Sequence, residues 1–393
     1  MQKKETMKNF VYSLLAAAVT LPVSCRDGSD SVPYLNKAAA PEKRDLAVLL
    51  ASLPMGSEQV CEVYDAVSSS SANGYDEEYL MKDLIGSPGS GVGDTPEART
   101  RAASRYGTPL RDLIVACLES KGLPSTRSGA SAVEAFLDGL SQSDLQIYWP
   151  YSEDWDGSTM PVITFDPGYG AESNYGYVIS GDGDGYRVVD SLYIDEAVAR
   201  ERPVWVINSN DDSSFLPLEL CLRSGAPAVA SRSSTGEGGT LYMKDFVMHR
   251  NYDTWFAGAS EFYVRMGTVN NFHALSEADL KQYRPEVTDF VVVVRRKMLG
   301  KVVPFDAVLV TGFSDQLDKL PFMITEDDGG TQTSWKCAAS VKIKSKTYGF
   351  DIDIPYRTGD DIVWRGQLAA SWFASDGEVR GNFGDVSVTF ELI

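Results

Sequence analysis

The heptapeptide Val386-Ser387-Val388-Thr389-Phe390-Glu391-Leu392 decides the fold class of the C-terminal part of the chain. Its apolar and polar residues alternate, which is the period of a strand with one face toward a core. Runs rich in Val, Ile and Phe recur upstream between turn residues, at 241–249, 260–265, 288–295, 306–311, 320–325, 340–344, 350–354 and 368–373. Short strands at such intervals are typical of a sandwich, so we predict an antiparallel β-sandwich over residues 240–393.

The middle of the chain, residues 146–222, also has a strand pattern. Four β-like runs fall at 161–165, 175–180, 186–191 and 203–208. The stretch 223–239 is rich in Ser, Gly and Ala, which indicates a linker or loop between this region and the sandwich.

Residues 41–145 have a helical period instead. Leu46, Leu49, Leu50 and Leu53 recur at spacings of three and four, which places them on one helix face. A second helix begins near Ser57, and further helices are predicted at 76–84, 96–105, 108–121 and 130–140. The predicted fold is therefore α+β, with a small N-terminal helical bundle followed by β-rich regions. The glycine-rich stretch 86–93 precedes no Gly-Lys-Ser/Thr, so we interpret it as a loop and not a phosphate site.

The first 25 residues have the pattern of a bacterial secretion signal. Lys3, Lys4 and Lys8 precede an apolar stretch over residues 10–21 that is shorter than the roughly 20 residues of a membrane span. Ser24-Cys25 then resembles the lipobox of bacterial lipoproteins, although Pro22 stands where that family usually has leucine.

The resemblance implies that residues 1–25 are a signal peptide and that Cys25 is acylated and becomes the first residue. The acidic stretch at 26–30 is similar to the tether of lipoproteins displayed on some Gram-negative bacteria, so residues 26–40 are expected to be a flexible tether. This places the protein at the outer membrane or cell surface, bound to the membrane through lipid on Cys25. The alternative is an ordinary cleaved signal with a chance cysteine.

The charge balance excludes one class of partner. The chain has 36 basic and 55 acidic side chains, a net charge of −19. A surface with this excess of carboxylates repels phosphate backbones, so we expect no nucleic-acid partner.

Four cysteines remain after Cys25, namely Cys61, Cys117, Cys221 and Cys337. The exported compartment permits disulfides, and four cysteines allow three pairings. We favour the other interpretation, in which they are free thiols that pack as small apolar side chains.

Histidine chemistry is scarce, because His249 and His273 are the two histidines of the chain. A zinc peptidase of the H-E-x-x-H type is excluded, and neither histidine accompanies a Gly-x-Ser-x-Gly motif. Carboxylates are abundant, and a glycosidase needs two of them and no histidine.

One segment combines carboxylates with large aromatic rings. Its candidate ligand-binding residues are Trp149, Tyr151, Glu153, Asp154, Trp155 and Asp156. Flat rings can stack on sugar faces while carboxylates accept hydrogen bonds from hydroxyl groups. The alternative is an aromatic connection that packs the helical region against the first sheet.

Acidic loops offer the oxygen ligands that calcium prefers. The candidate calcium residues are Asp327, Asp328, Asp360 and Asp361, in two loops that meet at one end of a sandwich. A third acidic loop, with Asp182 and Asp184, does not fit an EF-hand, because the twelfth position is Tyr193. The alternative for all three is solvated turn residues.

These patterns favour a cell-envelope binding or interaction module without enzymatic activity, for a glycan or a protein ligand. The runner-up is a carboxylate-dependent hydrolase that acts on glycans. A third interpretation is a structural subunit of a surface assembly.

Overall fold

The computed structural model describes residues 41–86, 106–120, 132–181, 186–210, 215–224, 238–374 and 377–393. All of them belong to the unit Ala38–Ile393. The helices are α1 (Lys43–Ala51), α2 (Ser57–Ala72), α3 (Met81–Ile85), α4 (Leu110–Ser120), α5 (Ala132–Ser141), α6 (Glu196–Glu201), α7 (Leu218–Ser224) and α8 (Ala370–Phe373). The strands are β1 (Glu78–Leu80), β2 (Leu145–Tyr148), β3 (Val162–Phe165), β4 (Ser173–Gly181), β5 (Tyr186–Asp195), β6 (Val204–Ser209), β7 (Gly239–Met248), β8 (Ser260–Thr268), β9 (Glu286–Val294), β10 (Val303–Phe313), β11 (Leu317–Glu326), β12 (Gln332–Ile343), β13 (Lys346–Arg357), β14 (Asp361–Ala369), β15 (Glu378–Phe383) and β16 (Val386–Leu392). The fold is α+β with largely antiparallel sheets, as predicted.

The first sheet has the strand order β1-β2-β6-β3-β4-β5. Its pairs are antiparallel except β3 with β6, which is parallel. Helix α1 packs against β3, β6 and β4. Val162, Val204 and Val206 of this sheet pack with Trp255 and Phe256 from the loop before β8. Strand β6 is buried along most of its length because both of its faces are covered, which explains its continuous apolar run.

A separate helical bundle over residues 41–145 is not shown. Helix α1 lies on the first sheet, α2 packs against β1, and α3, α4 and α5 contact one another. Strand β1 belongs to the sheet although it falls within the predicted helical region, and β2 begins at the last residue of that region. The helix predicted at 76–84 begins only at Met81, because Glu78, Tyr79 and Leu80 are all buried and one helix face cannot bury three consecutive residues.

The C-terminal region contains two more sheets. One has the order β10-β7-β16-β15, and the other has the order β13-β12-β11-β8-β9, with β14 paired to β11. Both sheets contribute to one buried core. Phe246 and Phe262 lie 4.9 Å apart between ring centroids, and Phe322 and Phe390 lie 5.7 Å apart.

The strand patterns hold with two corrections. The predicted strand at 368–373 is wrong beyond Ala369, where β14 ends and the short helix α8 begins. Strand β15 was not predicted, because Gly381 leaves Val379 and Phe383 as its two apolar side chains, too few for a clear alternation. Strand β16 lies between β7 and β15 and pairs with both.

Several predicted segments lie outside the described residues. They are the signal and tether at 1–40, the helix at 96–105, the glycine-rich stretch from residue 87, the loop at 182–185 and most of the linker, 225–237. Within the described ranges, none of the helices has the length and apolarity to span a bilayer. Cys61, Cys117 and Cys337 are free thiols, as predicted, and all four cysteines, Cys221 included, are half-buried and not fully buried.

Candidate functional site

The aromatic and acidic segment after β2 lines a cleft of about 120 Å³. One wall contains Trp149, Tyr151, Asp154, Trp155, Asp156 and Thr159, and the other wall is residues 199–203 at the end of α6. We call this the aromatic cleft. Five of the six predicted ligand-binding residues line it. The sixth, Glu153, instead forms an ion pair with Lys297.

A buried carboxylate holds the first wall in place. Tyr151 has left-handed backbone angles (φ 60°, ψ 28°), which are uncommon for a residue with a large side chain. The Glu77 carboxylate accepts hydrogen bonds from the Tyr151 N–H (3.3 Å) and the Ser152 hydroxyl (3.2 Å). Burial, reinforced by Asp76, raises the pKa of Glu77 to about 7, despite Arg295, Lys297 and the Tyr151 N–H.

The Tyr151 ring is fixed from the other side by charged groups. Its hydroxyl donates to Glu196 Oε1 (2.6 Å) and accepts from Arg200 Nε (3.1 Å). Arg296 binds both oxygens of Glu196, at 3.0 and 3.3 Å. Burial alone would raise the pKa of Glu196, but the hydrogen bonds from Arg296, Tyr151 and Arg200 outweigh it and lower the pKa to about 2. Glu196 is therefore a permanent anion that orients Tyr151.

The two tryptophans of the segment have different roles. Trp149 is 1% exposed and packs with Tyr64, Trp155 and Trp205 at centroid distances of 5.9, 5.3 and 5.8 Å. The packing interpretation therefore describes Trp149. Trp155 is half-buried, lines the cleft, and donates from Nε1 to the Thr159 carbonyl (2.8 Å). Of the two tryptophans, Trp155 is therefore the one whose ring is available to a ligand in this cleft.

The carboxylates of the cleft differ in how far they are already engaged. Asp156 accepts hydrogen bonds from the Thr159 hydroxyl (2.6 Å) and from the N–H groups of Thr159 (2.7 Å) and Ser158 (2.8 Å), which hold its pKa well below the usual range. This carboxylate closes a turn. Asp154 is exposed at the edge of the cleft.

The second wall was not predicted from the sequence. Arg202 contributes a guanidinium whose buried Nε has no hydrogen-bond partner among the described residues. Arg200 is engaged with Tyr151 and Glu196. These residues follow Tyr151 by about 50 positions, and the antiparallel pairing of β2 with β6, which sets Tyr148 opposite Val206, brings the two walls together. The arginines at the helix end were the available signal.

The predicted calcium residues lie together at one end of the C-terminal sheets. Asp327 pairs with Arg357 (3.3 Å) and accepts from the Gly329 N–H (3.0 Å). Asp360 accepts from the Arg357 N–H (2.9 Å) and the Thr325 hydroxyl (3.4 Å). Burial, with the charges of Asp253, Asp361, Asp360 and Asp327, raises the pKa of Asp328 to about 6.

Three further carboxylates extend this group. One ligand oxygen from each of Asp253, Glu261 and Glu326 lies within 4.8 Å of the others. We call the seven residues Asp253, Glu261, Glu326, Asp327, Asp328, Asp360 and Asp361 the acidic end. Among described residues, Asp253, Glu261 and Glu326 are the carboxylates whose oxygens lie close enough together to hold a cation, and the four predicted calcium residues are not part of that group. Calcium binding stays a prediction, which titration calorimetry in calcium-free buffer would check.

Neither histidine lies in the aromatic cleft. His249 Nε2 lies 2.7 Å from the Ser387 hydroxyl, which donates to Asn382 Oδ1 (2.8 Å). The hydroxyl hydrogen is therefore directed at the amide oxygen and not at the imidazole. His273 is held through its backbone by the Tyr283 hydroxyl. Both arrangements fit a structural role.

No protein-family model, no curated protein and no solved structure matches this chain. The chemistry of the cleft therefore rests on its own residues.

Proposed function

We propose that the chain is exported, is acylated on Cys25 and works at the outer membrane or cell surface as a protein that binds a glycan in the aromatic cleft. The leading segment supports the location, because a charged start, a short apolar stretch and Ser24-Cys25 have the order of a lipoprotein signal. The two C-terminal sheets, which share one core, support the finer description of this region as a sandwich.

The observation that carries the glycan proposal is the pairing of Trp155 with Arg202 across the cleft. A half-buried indole presents an apolar face, and the half-buried Arg202 on the opposite wall carries a guanidinium whose N–H groups are donors for hydroxyl oxygens. A sugar ring offers both a flat apolar face and hydroxyl acceptors. Its size also suits a cleft of about 120 Å³.

The carboxylates of the cleft favour binding over hydrolysis. A glycosidase needs a general acid whose pKa is raised toward neutrality. The pKa of Asp156 is shifted in the opposite direction. Glu62 and Glu77 have pKa values near 7 because they are buried, but they accept hydrogen bonds from the backbone N–H groups of Leu110 and Tyr151. They stabilise the fold and are not placed to protonate a ligand.

The test is a glycan array followed by titration calorimetry, with residues 26–393 as the wild type. Trp155→Ala and Arg202→Gln are each expected to weaken the best ligand about tenfold or more, which corresponds to the loss of one ring contact or one charge-assisted hydrogen bond. Leu275→Ala, at an exposed apolar residue of another loop, is the matched control. Binding that survives both cleft substitutions would reject the cleft as the site.

Two further measurements separate the remaining interpretations. Release of reducing sugar that disappears in Asp154→Asn would support the hydrolase. A stable partner recovered on pull-down, with no glycan bound on the array, would support the structural subunit.

Acylation is tested in the native host by metabolic labelling with palmitate. We expect label in the wild type and none in Cys25→Ser. An unmodified, intact N-terminus by mass spectrometry would reject both export and acylation.

A further inference from the structure

A second aromatic surface lies on the β4–β5 hairpin, at the edge of the first sheet. Tyr175 and Tyr193 are directly opposite each other in the antiparallel pair, and they are 64% and 55% exposed. Their rings meet edge to face with centroids 5.6 Å apart. Tyr169, in the loop that enters β4, is wholly exposed. We call these three residues the tyrosine patch.

The backbone at Tyr169 favours a functional role for the patch. Tyr169 has a positive φ of 56°, between Gly168 at 75° and Gly170 at 68°. A tyrosine is strained in this region and a glycine is not. Within the described residues the Tyr169 ring makes no hydrogen bond or ring contact that would repay the strain. An exposed ring kept in a strained conformation points to a use outside the fold.

The strand beside the patch can accept a further strand. Among the strands of the described residues, β5 ends the sheet and pairs with β4 alone. Its outer backbone N–H and C=O groups therefore face away from the sheet, and such an edge is a template for an added extended segment. Side chains of that segment would alternate, so every second one would lie over the face that carries Tyr193.

The charges around the patch select the partner. Glu172 is exposed beside the patch, residues 166–181 contain no Lys or Arg, and Arg187 is the one basic residue of β5. Lys43 of α1 is paired with Asp166 at 2.7 Å. Asp190 is also exposed, but it lies three residues from Tyr193 and therefore on the other face of the strand. A cation placed over the tyrosine faces is attracted both by the rings and by Glu172.

We propose that the tyrosine patch and the edge of β5 bind an extended, lysine- or arginine-bearing segment of another protein. The segment adds to β5 through backbone hydrogen bonds and sets its cations over Tyr193, Tyr175 and Tyr169. This surface is separate from the residues that line the aromatic cleft, so the proposal does not depend on glycan binding.

The experiment uses residues 26–393 and a fluorescein-labelled dodecapeptide of alternating Lys and Thr, measured by anisotropy in 150 mM salt. A protein of charge −19 attracts any basic peptide, so the decisive comparison is between variants of equal charge. Tyr169→Gly and Tyr193→Ser are each expected to weaken binding about 3- to 10-fold, the range of one cation–π contact. Tyr169→Gly should fold at least as well as the wild type, because glycine accepts the positive φ.

Leu275→Ala is the control, since it removes an exposed apolar side chain elsewhere and should leave the affinity unchanged. Equal affinities in the wild type and both tyrosine variants would overturn the proposal. So would a neutral glycan, or vesicles of phosphatidylcholine, that bind in place of the peptide and lose binding in Tyr169→Gly. A dimer that Tyr193→Ser dissociates would also overturn it, in favour of a second copy.

Discussion

The aromatic cleft and the acidic end use carboxylates in opposite ways. Beside the cleft, Glu196 receives hydrogen bonds from Arg296, Tyr151 and Arg200, and its pKa falls to about 2. At the acidic end, Asp328 lies among other carboxylates, and its burial and their charges raise its pKa to about 6. A charged carboxylate therefore stabilises the fold beside the cleft and destabilises it at the acidic end. The number of donors facing each carboxylate decides between these outcomes.

Arg296 connects the two regions, and its removal has the largest expected effect. Its guanidinium is buried, binds both oxygens of Glu196, and donates from Nη1 to the Asp253 carbonyl (2.9 Å). Arg296→Met leaves Glu196 charged and without its main partner. We expect the free energy of unfolding to fall by about 3–5 kcal/mol, the usual cost of breaking a buried pair.

Urea denaturation at pH 7 measures this effect. The double variant Arg296→Met/Glu196→Gln should recover part of the loss, because it removes the uncompensated charge. Arg284→Ala, an exposed arginine bonded to nearby carbonyls, is the control and should stay within about 0.5 kcal/mol. If Arg296→Met lost no more than about 0.5 kcal/mol, the contrast drawn between the two regions would be wrong.

Glu77 tests the same contrast within one region. It holds the first wall of the cleft in place, and yet its pKa is raised, like that of Asp328 at the acidic end. Its folded-state pKa of about 7 lies above the ordinary value of 4.5, so the fold favours the neutral carboxyl. The contribution of Glu77 to the free energy of unfolding is therefore full below pH 4.5 and is lost as the pH rises through 7. A shift of this size is worth on the order of 3 kcal/mol.

Unfolding of Glu77→Gln across pH 4.5–8 tests this expectation. The variant should lose less stability over that range than the wild type, and its glutamine oxygen can still accept from Tyr151. Glu62 has a similar pKa for a similar reason, so the wild-type slope contains both residues and Glu77→Gln/Glu62→Gln should be flatter still. A slope unchanged in the double variant would contradict the assignment.

Tyr151→Phe tests the contribution of one of the hydrogen-bond donors that lower the pKa of Glu196. The variant removes the hydroxyl between Glu196 and Arg200 and keeps the ring in the cleft. We expect a loss of about 1 kcal/mol, typical of one hydrogen bond at a partly exposed site. Thermal unfolding measures it. A rise in the melting temperature would show that the charged network is not stabilising.

Asp328→Asn is expected to change the free energy of unfolding least, and to raise it where the other substitutions lower it. Removing one charge from the acidic end relieves repulsion, so stability at pH 7 should rise, by less than about 1 kcal/mol because Asp328 is only partly buried and solvent screens its charge. Asp190→Asn, at an exposed aspartate outside the acidic end, is the control. A loss of stability in Asp328→Asn would mean that this carboxylate has a stabilising partner.

The strands were predictable where apolar and polar residues alternate in the sequence, as they do in β16 although its Ser387 and Thr389 are also buried. β16 alternates cleanly and was recognised, whereas Glu78–Leu80 is buried on all sides and carries no alternation. Its three residues suit a strand only because β2 already lies beside them, which is a long-range fact. Short buried strands inside helical sequence are therefore the part of this fold that local periodicity cannot supply.

The site residues that are neighbours in sequence were predictable, and those that strand pairing brings from elsewhere in the chain were not. Trp155 and Asp156 are neighbours of Tyr151 and were identified together. Arg202 belongs to the same cleft through the pairing of β2 with β6. At the acidic end, the meeting of Asp327 with Asp360 followed from expecting two loops at one end of a sandwich. Asp253 comes from the connection before β8 and Glu261 from β8 itself, so their approach to Glu326 depends on how β8 pairs with β11.

The central claim is that the aromatic cleft binds a glycan, and titration calorimetry of the wild type and Trp155→Ala with the best array ligand tests it most directly. We predict a one-site isotherm for the wild type and an affinity at least about tenfold weaker for the variant, at a temperature at which thermal unfolding shows both proteins to be folded. Identical isotherms for the two folded proteins would contradict the claim.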